Sequence, residues 1–489
     1  MKENILLTNY KGRTLEELKN LPVDELAKIA HEALQNWDKL NQRLNQDSTN
    51  SNQAPSTDSP EAKARRKAEE KAPNPKHGTR KQGAQPGHKA VIRPLLPLGD
   101  GDIIINCKPE ICANCKASLT EETDSEPYRQ QYHDFELIRR TTEYRKHKIR
   151  CGECGHTSEG KLPKEANKSA YGPNVAGLVG TLTGQNQMSR RMAATFIEEF
   201  TGIPISEGSV SNLEKELTEA AQPIMEEIKF AAQNAEQGNA DETGMRMKNS
   251  QQGWLWVLVT PIAVLFCMFA GRGQKYASAL LGGFKGILTS DRWCGYNEYP
   301  KEKHQLCWAH LLRDFKSMAE QGACGEAIGK ALRKEAGTMF RLWHRFKKWK
   351  KNQETRGIEV SMTVLESQTG AVRKRIKALL EEGKKRGVPK CGSILKLEPQ
   401  LWVFTQERDI EPTNNAAERN IRPAVLWKKR SFGVESDRGA QYMEAMLSIK
   451  MTARLNVVSP AKFLGELIYS YRFKTPTPSI FSSPCPERV

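Results

Sequence analysis

The chain has 489 residues, with 75 Lys and Arg against 58 Asp and Glu, a net charge of +17 and an isoelectric point near 9.3. That length holds two to four domains at roughly 100–200 residues each. The positive excess points to a polyanion: DNA, RNA and an anionic membrane surface are all eligible, with a basic housekeeping protein as the bland alternative.

Hydrophobic residues at 38% support at least one sizeable core, while a mean hydropathy of −0.64 leaves long stretches solvated. Met1 to Tyr10 is mostly polar, and Ile5-Leu6-Leu7 is too short for the apolar core of a secretory signal. The most apolar run, Trp254 to Ala270, is interrupted by Thr260-Pro261. Two buried strands explain it better than a membrane span, which needs about 20 apolar residues. Eleven cysteines, four of them in two C-x-x-C pairs, suggest reduced thiols and a metal site rather than a disulfide framework. The expectation is a cytoplasmic protein with no membrane partner.

Val23 to Asn45 carries Leu26, Ala30, Ala33, Trp37, Leu40 and Leu44 at alternating spacings of four and three, a heptad seam. A homodimer zipper is favoured over a single amphipathic helix, although two of the seam residues are only alanine and make a thin seam. Residues 47–100 read as a basic disordered linker. Glu61 to Ala90 has nine Lys and Arg against three Glu, too polar to fold alone. An arm along phosphates and a solvated tether both fit.

Residues 101–165 hold Cys112-x-x-Cys115 and Cys151-x-x-Cys154, with 35 residues between the pairs. Zn²⁺ prefers four thiolates in a tetrahedron, and each C-x-x-C turn supplies two at the right bite. Four unliganded thiols are the alternative. Zinc there is expected to be structural, since four protein ligands leave no open position; Asp134 to Arg150 is the candidate hairpin joining the knuckles. Residues 166–235 read as helical. Ser189 to Glu199 and Ser206 to Leu217, split by Thr201-Gly202-Ile203-Pro204 and with Ser206 as an N-cap, suggest a helix-turn-helix, although many helical hairpins look the same.

From Asn239 the pattern becomes α/β. A strand includes Asp241; Trp254 to Val259 and Ala263 to Phe269 form a hairpin; Tyr276 to Gly283 is a short helix. Gly286 to Ser290 is a strand ending at Asp291, and Lys303 to Trp308 a fifth, followed by a helix. Glu326 to Lys390 is helical and basic. Thr413 opens a helix carrying Glu418. Phosphodiester chemistry with Mg²⁺ or Mn²⁺ needs oxygen ligands around two ions, and two strand aspartates with one helix glutamate supply them. The alternative is that these are three surface acids among 58. Asn414, Glu418 and Arg422 share a helix face, as a plain Glu418–Arg422 salt bridge also would. Arg419, Arg422, Lys428, Lys429 and Arg430 suit phosphate contacts. Cys307-x-x-His310 is a possible second metal pair, read here as core packing. Trp343, Phe346 and Trp349, set among basic residues, suit stacking on bases, but Leu342, Phe346 and Trp349 fit one amphipathic stripe, and packing in the core is the favoured reading.

These blocks together resemble the transposases of the insertion sequence 66 (IS 66) family. The resemblance is carried by Gly83-Ala-Gln-Pro-Gly-His88, the paired C-x-x-C motifs, Ala240-Asp-Glu-Thr243, Gly253-Trp-Leu-Trp256, Ser290-Asp-Arg-Trp-Cys-Gly-Tyr296, Cys307-Trp-Ala-His310 and Thr413-Asn-Asn-Ala-Ala-Glu-Arg-Asn-Ile-Arg-Pro423. It runs from about Leu15 to about Ser459. It departs at Ala84, where a second glycine is usual, and at Cys112-Ala-Asn-Cys115-Lys, which lacks the usual Pro and Gly. The resemblance implies an N-terminal zipper (1–46), a zinc region, and an RNase H-like catalytic domain of the DDE type, a mixed sheet flanked by helices. It divides that domain into 236–325 and 401–459 around a helical insertion (326–400), with 460–489 as a tail. It implies Asp241, Asp291 and Glu418 as catalytic carboxylates. The expected function is binding the terminal inverted repeats of its element, then metal-dependent strand cleavage and strand transfer, as a homodimer or larger assembly, with element-encoded helper proteins as further partners. A catalytically inactive zinc-containing regulator and an RNase H-like nuclease are the alternatives.

Overall fold

The computed structural model describes residues 19–44, 46–51, 58–71, 95–99, 102–119, 128–135, 137–163, 166, 169–320 and 322–481. The chain divides into two compact units, Met1–Ala68 with Thr142–Val489, and Glu69–Thr141.

Among the described residues of the larger unit, helix α1 (Val23–Leu44) forms where the heptad pattern predicts it, and its seam residues Trp37 and Leu40 are exposed. The stretch read as a linker is structured in part. Helix α2 (Pro60–Lys71) follows a turn in which Asp47, Ser48, Asn50 and Asp58 are buried. Ser48 donates from N and Oγ to the Asp58 carboxylate, both at 2.7 Å, and Arg66 pairs with Asp58 at 2.6 Å. Polar residues fold here because carboxylates capture backbone N–H groups and arginines, which composition alone does not reveal. Most of the remaining expected linker (72–94) lies outside the described residues.

Strands β1 (Lys148–Arg150) and β2 (Thr157–Glu159) pair antiparallel around the second cysteine pair. The hairpin expected over Asp134 to Arg150 is therefore displaced. Among its described residues only Lys148–Arg150 is strand, and its partner lies beyond Cys154. A helical layer follows: α3 (Pro173–Val179), continued by a π-helical turn at Gly180–Gln185, α4 (Arg190–Thr201), α5 (Glu207–Ala220) and α6 (Gln222–Gln233). Ser189 and Ser206 cap α4 and α5 by accepting from Met192 N and Ser209 N, and Gly202 closes α4 at φ 64°. The hairpin is as expected, but α5 has four glutamates and one lysine. Glu207 and Glu214 pair with Arg191 and Arg190, and Glu216 with Arg472. A helix so acidic is a poor reader of a phosphate-lined groove.

The sheet has the order β5-β4-β3-β6-β7: β3 (Gln237–Arg246), β4 (Gln252–Val259), β5 (Val264–Phe269), β6 (Ile287–Ser290) and β7 (His304–Leu306). β3, β4 and β5 form an antiparallel meander, whereas β6 runs parallel to β3 and β7 parallel to β6. β4 is almost continuously apolar because both its faces are covered. Trp256 and Leu258 join the core built with the helical layer and α7 (Gln274–Leu281), while Leu255 and Val257 join a second core on the opposite face.

β7 leads into α8 (Trp308–Ala319), α9 (Gly322–Glu354), α10 (Thr363–Lys385), α11 (Cys391–Leu395) and α12 (Val403–Gln406), which share a third core. Trp343 and Phe346 are buried in it, and Trp343 meets Phe404 edge-on at 5.6 Å, so these two aromatics pack, whereas Leu342 of the expected stripe is only partly buried and Trp349 is exposed. Near the far end of α8, Asn50 donates to Glu320 at 2.7 Å and Lys316 to Thr49 Oγ1 at 2.7 Å, fastening the N-terminal turn there. Helices α13 (Asn415–Ser431) and α14 (Asp437–Leu455) cover the second face of the sheet. The expected C-terminal tail instead carries α15 (Pro460–Phe473), with Phe463, Leu464, Leu467 and Ile468 buried. It lies so close to α3 that a Cβ on Gly177 would sit 2.7 Å from Gly465 N.

Helix α14 also caps the free edge of β5. Thr452 Oγ1 and Ser448 Oγ accept from Val264 N and Phe266 N at 3.0 and 2.9 Å, and the Glu444 carboxylate accepts from Met268 N. Four helical residues rise about 6.0 Å and two strand residues about 6.6 Å, so an i, i+4, i+8 polar row matches alternate N–H groups along an edge. Burial pushes the Glu444 pKa up to about 7, against the pull of the Met268 N–H. A folded value above the unfolded one stabilises below about pH 4.5 and is lost as pH rises through 7. Glu444→Gln is therefore expected to gain up to about 3 kcal/mol relative to wild type between those limits. Thermal melts of both proteins from pH 4.5 to 8 check this, and parallel curves would sink it.

Candidate active site

β3 alternates sides with a period of two. Ala240 belongs to the core of the helical layer and Met245 to the core under α13 and α14, so Asp241 faces the α13 side and Glu242 the other. β3 and β6 run in parallel register through Asn239↔Thr289. Asp241 and Asp291 each lie two residues beyond that last pair, close enough for the Asp291 charge to act on Asp241. Asp291 follows the last residue of β6, where its Oδ1 accepts from Trp293 N at 2.9 Å; Asp241 Oδ1 accepts from Glu242 N at 2.9 Å.

Asn414 brings the glutamate in. It is buried immediately before α13 and spends its side chain on β3 rather than on its own helix: Nδ2 donates to Ala240 O at 2.8 Å, and Oδ1 accepts from Asn239 Nδ2 at 3.1 Å. Its backbone N–H donates to Cys307 Sγ at 3.1 Å, and its C=O accepts from Glu418 N at 3.2 Å. One residue thus ties β3, the start of α8 and the first turn of α13 together next to Asp241. Burial pushes the Asp241 carboxyl well above its ordinary range, and the charges of Glu242, Asp291 and, more weakly, Glu418 add to the push. The structure therefore brings the three sequence-selected carboxylates within electrostatic reach of one another.

Of the basic residues selected with them, Arg419, Arg422 and Lys429 are exposed. Lys428 Nζ donates to Gly244 O at 2.6 Å, and Arg430 Nη1 to Asn186 O at 3.3 Å, so these two also clamp the fold. The selected thiols form two locally identical knuckles. In each, the first cysteine donates from N to the carbonyl five residues on and accepts at its C=O from the N–H four residues on: Cys112 with Ala117 and Lys116, Cys151 with His156 and Gly155. The residue after each second cysteine is left-handed, Lys116 at φ 63° and Gly155 at φ 71°. Backbone N–H groups of Cys115 and Cys154 lead in lowering the Cys112 and Cys151 thiol pKa values. Each turn thus favours thiolates, the form that Zn²⁺ binds.

Several site residues escaped the sequence reading. Glu242, behind Asp241, accepts from Arg272 Nε at 2.6 Å and Tyr296 Oη at 2.9 Å, and the Arg272 guanidinium lies 3.9 Å over the Trp293 ring. Arg292, next to Asp291, pairs with buried Asp314, which also takes Lys390 Nζ at 2.8 Å from the helical insertion. The signal was there in part: Asp241-Glu242 on a strand puts one acid on each face, and each needs its own explanation.

A chain of donors supports the Asp291 backbone. Gln400 Nε2 meets His304 Nδ1 at 3.0 Å, His304 Nε2 meets Ser290 Oγ at 2.8 Å, and Ser290 Oγ donates to Asp291 O at 2.8 Å. This order places the imidazole proton on Nε2. Burial lowers the His304 pKa to about 4. A depressed folded value stabilises above about pH 6.5 and is lost as pH falls through 4. Wild type is thus expected to lose up to about 3 kcal/mol more than His304→Gln across that window. Denaturant melts at pH 7, 5.5 and 4 measure the difference; equal losses would refute it.

Residues 169–442 match the family described as Transposase IS66 family, and residues 9–94 match a family of unknown function, DUF6444. Two relatives come from Sinorhizobium fredii (strain NBRC 101917 / NGR234). The uncharacterized protein y4qI is 26% identical over 52% of this chain and 50% of its own length. The uncharacterized protein y4hP is 22% identical over 74% of this chain and 70% of its own length. The chain thus spans about half of the first relative. The IS66 match alone takes in more than half of the chain, and it falls on the helical layer, the sheet, the helical insertion and the carboxylate-bearing helix: the protein belongs to the IS66 transposase family.

Proposed function

We propose that the protein is an RNase H-like DDE transposase that binds the inverted repeats at the ends of its element, cleaves there and transfers the strand to target DNA. The observation that carries the reading is the convergence of Asp241, Asp291 and Glu418 from three separate elements, close enough for their charges to raise the proton affinity of Asp241. Strand order supports it too, with an antiparallel meander extended by two parallel strands and the acids on the central strand, just past the end of the next strand and on a covering helix.

The residues suit divalent cations, because burial and the neighbouring carboxylates raise the proton affinity of Asp241 and a bound cation would offset both. Two Mg²⁺ or Mn²⁺ ions held by Asp241, Asp291 and Glu418 would stabilise the attacking and leaving oxygens of phosphodiester displacement. Asn414 fixes the Glu418 helix against β3, the His304 chain fixes the Asp291 backbone, and Arg419, Arg422 and Lys429 neutralise phosphate beside them. Water opens each element end, and the released 3′-hydroxyl attacks the target, so no Ser or Tyr nucleophile is needed. Each knuckle supplies two thiolates, the ligand type of structural Zn²⁺, and the exposed α1 seam supports a homodimer. Incubating the protein with Mg²⁺ and DNA carrying its element ends tests the reading. Nicks at the end junctions are expected, absent in Asp291→Asn. Bound but uncut ends would favour an inactive regulator, and cleavage only of RNA–DNA hybrid a nuclease.

A further inference from the structure

Cys307 caps α8, and His310 stands one turn into it. The Cys307 thiol, a His310 nitrogen and a Glu418 carboxylate oxygen lie within 4.8 Å of one another. His310 Nδ1 and Glu418 Oε1 are 3.9 Å apart, too far for a hydrogen bond, and neither buried atom has a hydrogen-bond partner among the described residues. Two buried polar atoms aimed at each other across such a gap are costly unless something sits between them. Zn–N and Zn–O bonds of about 2.1 Å at the tetrahedral angle separate their ligand atoms by roughly 3.4 Å, within a small side-chain rotation of what is observed. Cys307 is held in place by two bonds. Its N donates to Ser290 O at 2.9 Å, and its Sγ takes the Asn414 N–H, the outer-shell bond that orients a metal-ligating thiolate.

We infer that Cys307, His310 and Glu418 form a three-ligand site for one borderline-soft divalent ion of the Zn²⁺ class, separate from the cysteine knuckles. Sulfur and imidazole nitrogen disfavour Mg²⁺ and select Zn²⁺ or Co²⁺, and three protein ligands leave a fourth position for water. Binding replaces the S–H bond by a metal–sulfur bond, with the thiol proton released to solvent. Because Glu418 is shared, an ion held here withdraws it from the Asp241–Asp291 pair, and Zn²⁺ becomes an inhibitor of Mg²⁺-dependent cleavage. That last consequence rests on the transposase reading; the binding does not.

The full-length protein is dialysed against Zn²⁺ and its metal content counted. Wild type is expected to retain one ion more than Cys307→Ser or His310→Ala, with affinity for that ion reduced at least about a hundredfold in either variant. Asp241→Asn is expected to keep the extra ion. As a measurement independent of any variant's folding, Co²⁺ added to wild type whose knuckles already hold zinc is expected to give a thiolate-to-cobalt charge-transfer band. Equal ion counts in wild type and both variants, or no such band in wild type, overturn the site. Absence of cleavage with the ion count intact would sink the catalytic reading alone.

Discussion

Asp241→Asn is expected to reduce end cleavage by roughly 10³-fold or more while raising the melting temperature of the metal-free protein. The two effects share one cause. The folded environment lifts the Asp241 pKa by burial first and by Glu242, Asp291 and Glu418 after that, so its stabilising contribution is confined to low pH and is lost as pH rises through the folded value. At neutral pH the residue weakens the apo fold, and the amide removes that penalty along with the ligand. Mg²⁺ should then raise the wild-type melting temperature and leave that of the variant nearly unmoved, since a ligand stabilises only the state that binds it. Melts with and without Mg²⁺, beside a cleavage assay and an end-binding assay, separate these effects. Cleavage retained by Asp241→Asn would rule out the assignment.

Asn414→Ala is expected to cost about 2–4 kcal/mol of stability and to slow cleavage about a hundredfold. The substitution removes the Nδ2 donor to Ala240 O and the acceptor for Asn239 Nδ2, leaving buried backbone and amide groups unpaired. It also releases the first turn of α13, where Glu418 sits, and small misplacements of a catalytic group carry penalties of that size. Asn414→Asp keeps the shape but turns an acceptor toward the Ala240 carbonyl, so it should do no better. Denaturant melts measure the first effect and single-turnover cleavage the second. Unchanged cleavage in a folded Asn414→Ala protein would show that this junction does not position the site.

Much was legible because the signals are local. The strands at Asp241, Trp254–Val259 and Asp291, the Ser189 and Ser206 caps, and the helix around Glu418 follow from short-range periodicity, β-branched and aromatic runs, and side chains that bond the backbone a few residues away. Helical spacing likewise put Phe346 in the core, but it selected exposed Trp349 in place of buried Trp343. Family motifs then selected three acids from 58, which periodicity had no means of doing.

Other features depend on partners far along the chain. Asp47 and Asp58 order a segment whose composition reads as linker because buried N–H groups and arginines meet them there. Residues beyond Ser459 form a buried helix because α3 offers a glycine-smooth surface 288 positions upstream, 465 against 177. Glu444, Ser448 and Thr452 look like surface positions on a helix until the free edge of β5 lies against them. The sequence alone determined which residues can be strand, cap, knuckle or carboxylate ligand, since those preferences are set by each residue and its near neighbours. The tertiary structure decided that Asn414 joins three elements and that Cys307 and His310 face Glu418. Such meetings depend on the distance between folded elements, which one-dimensional spacing does not encode.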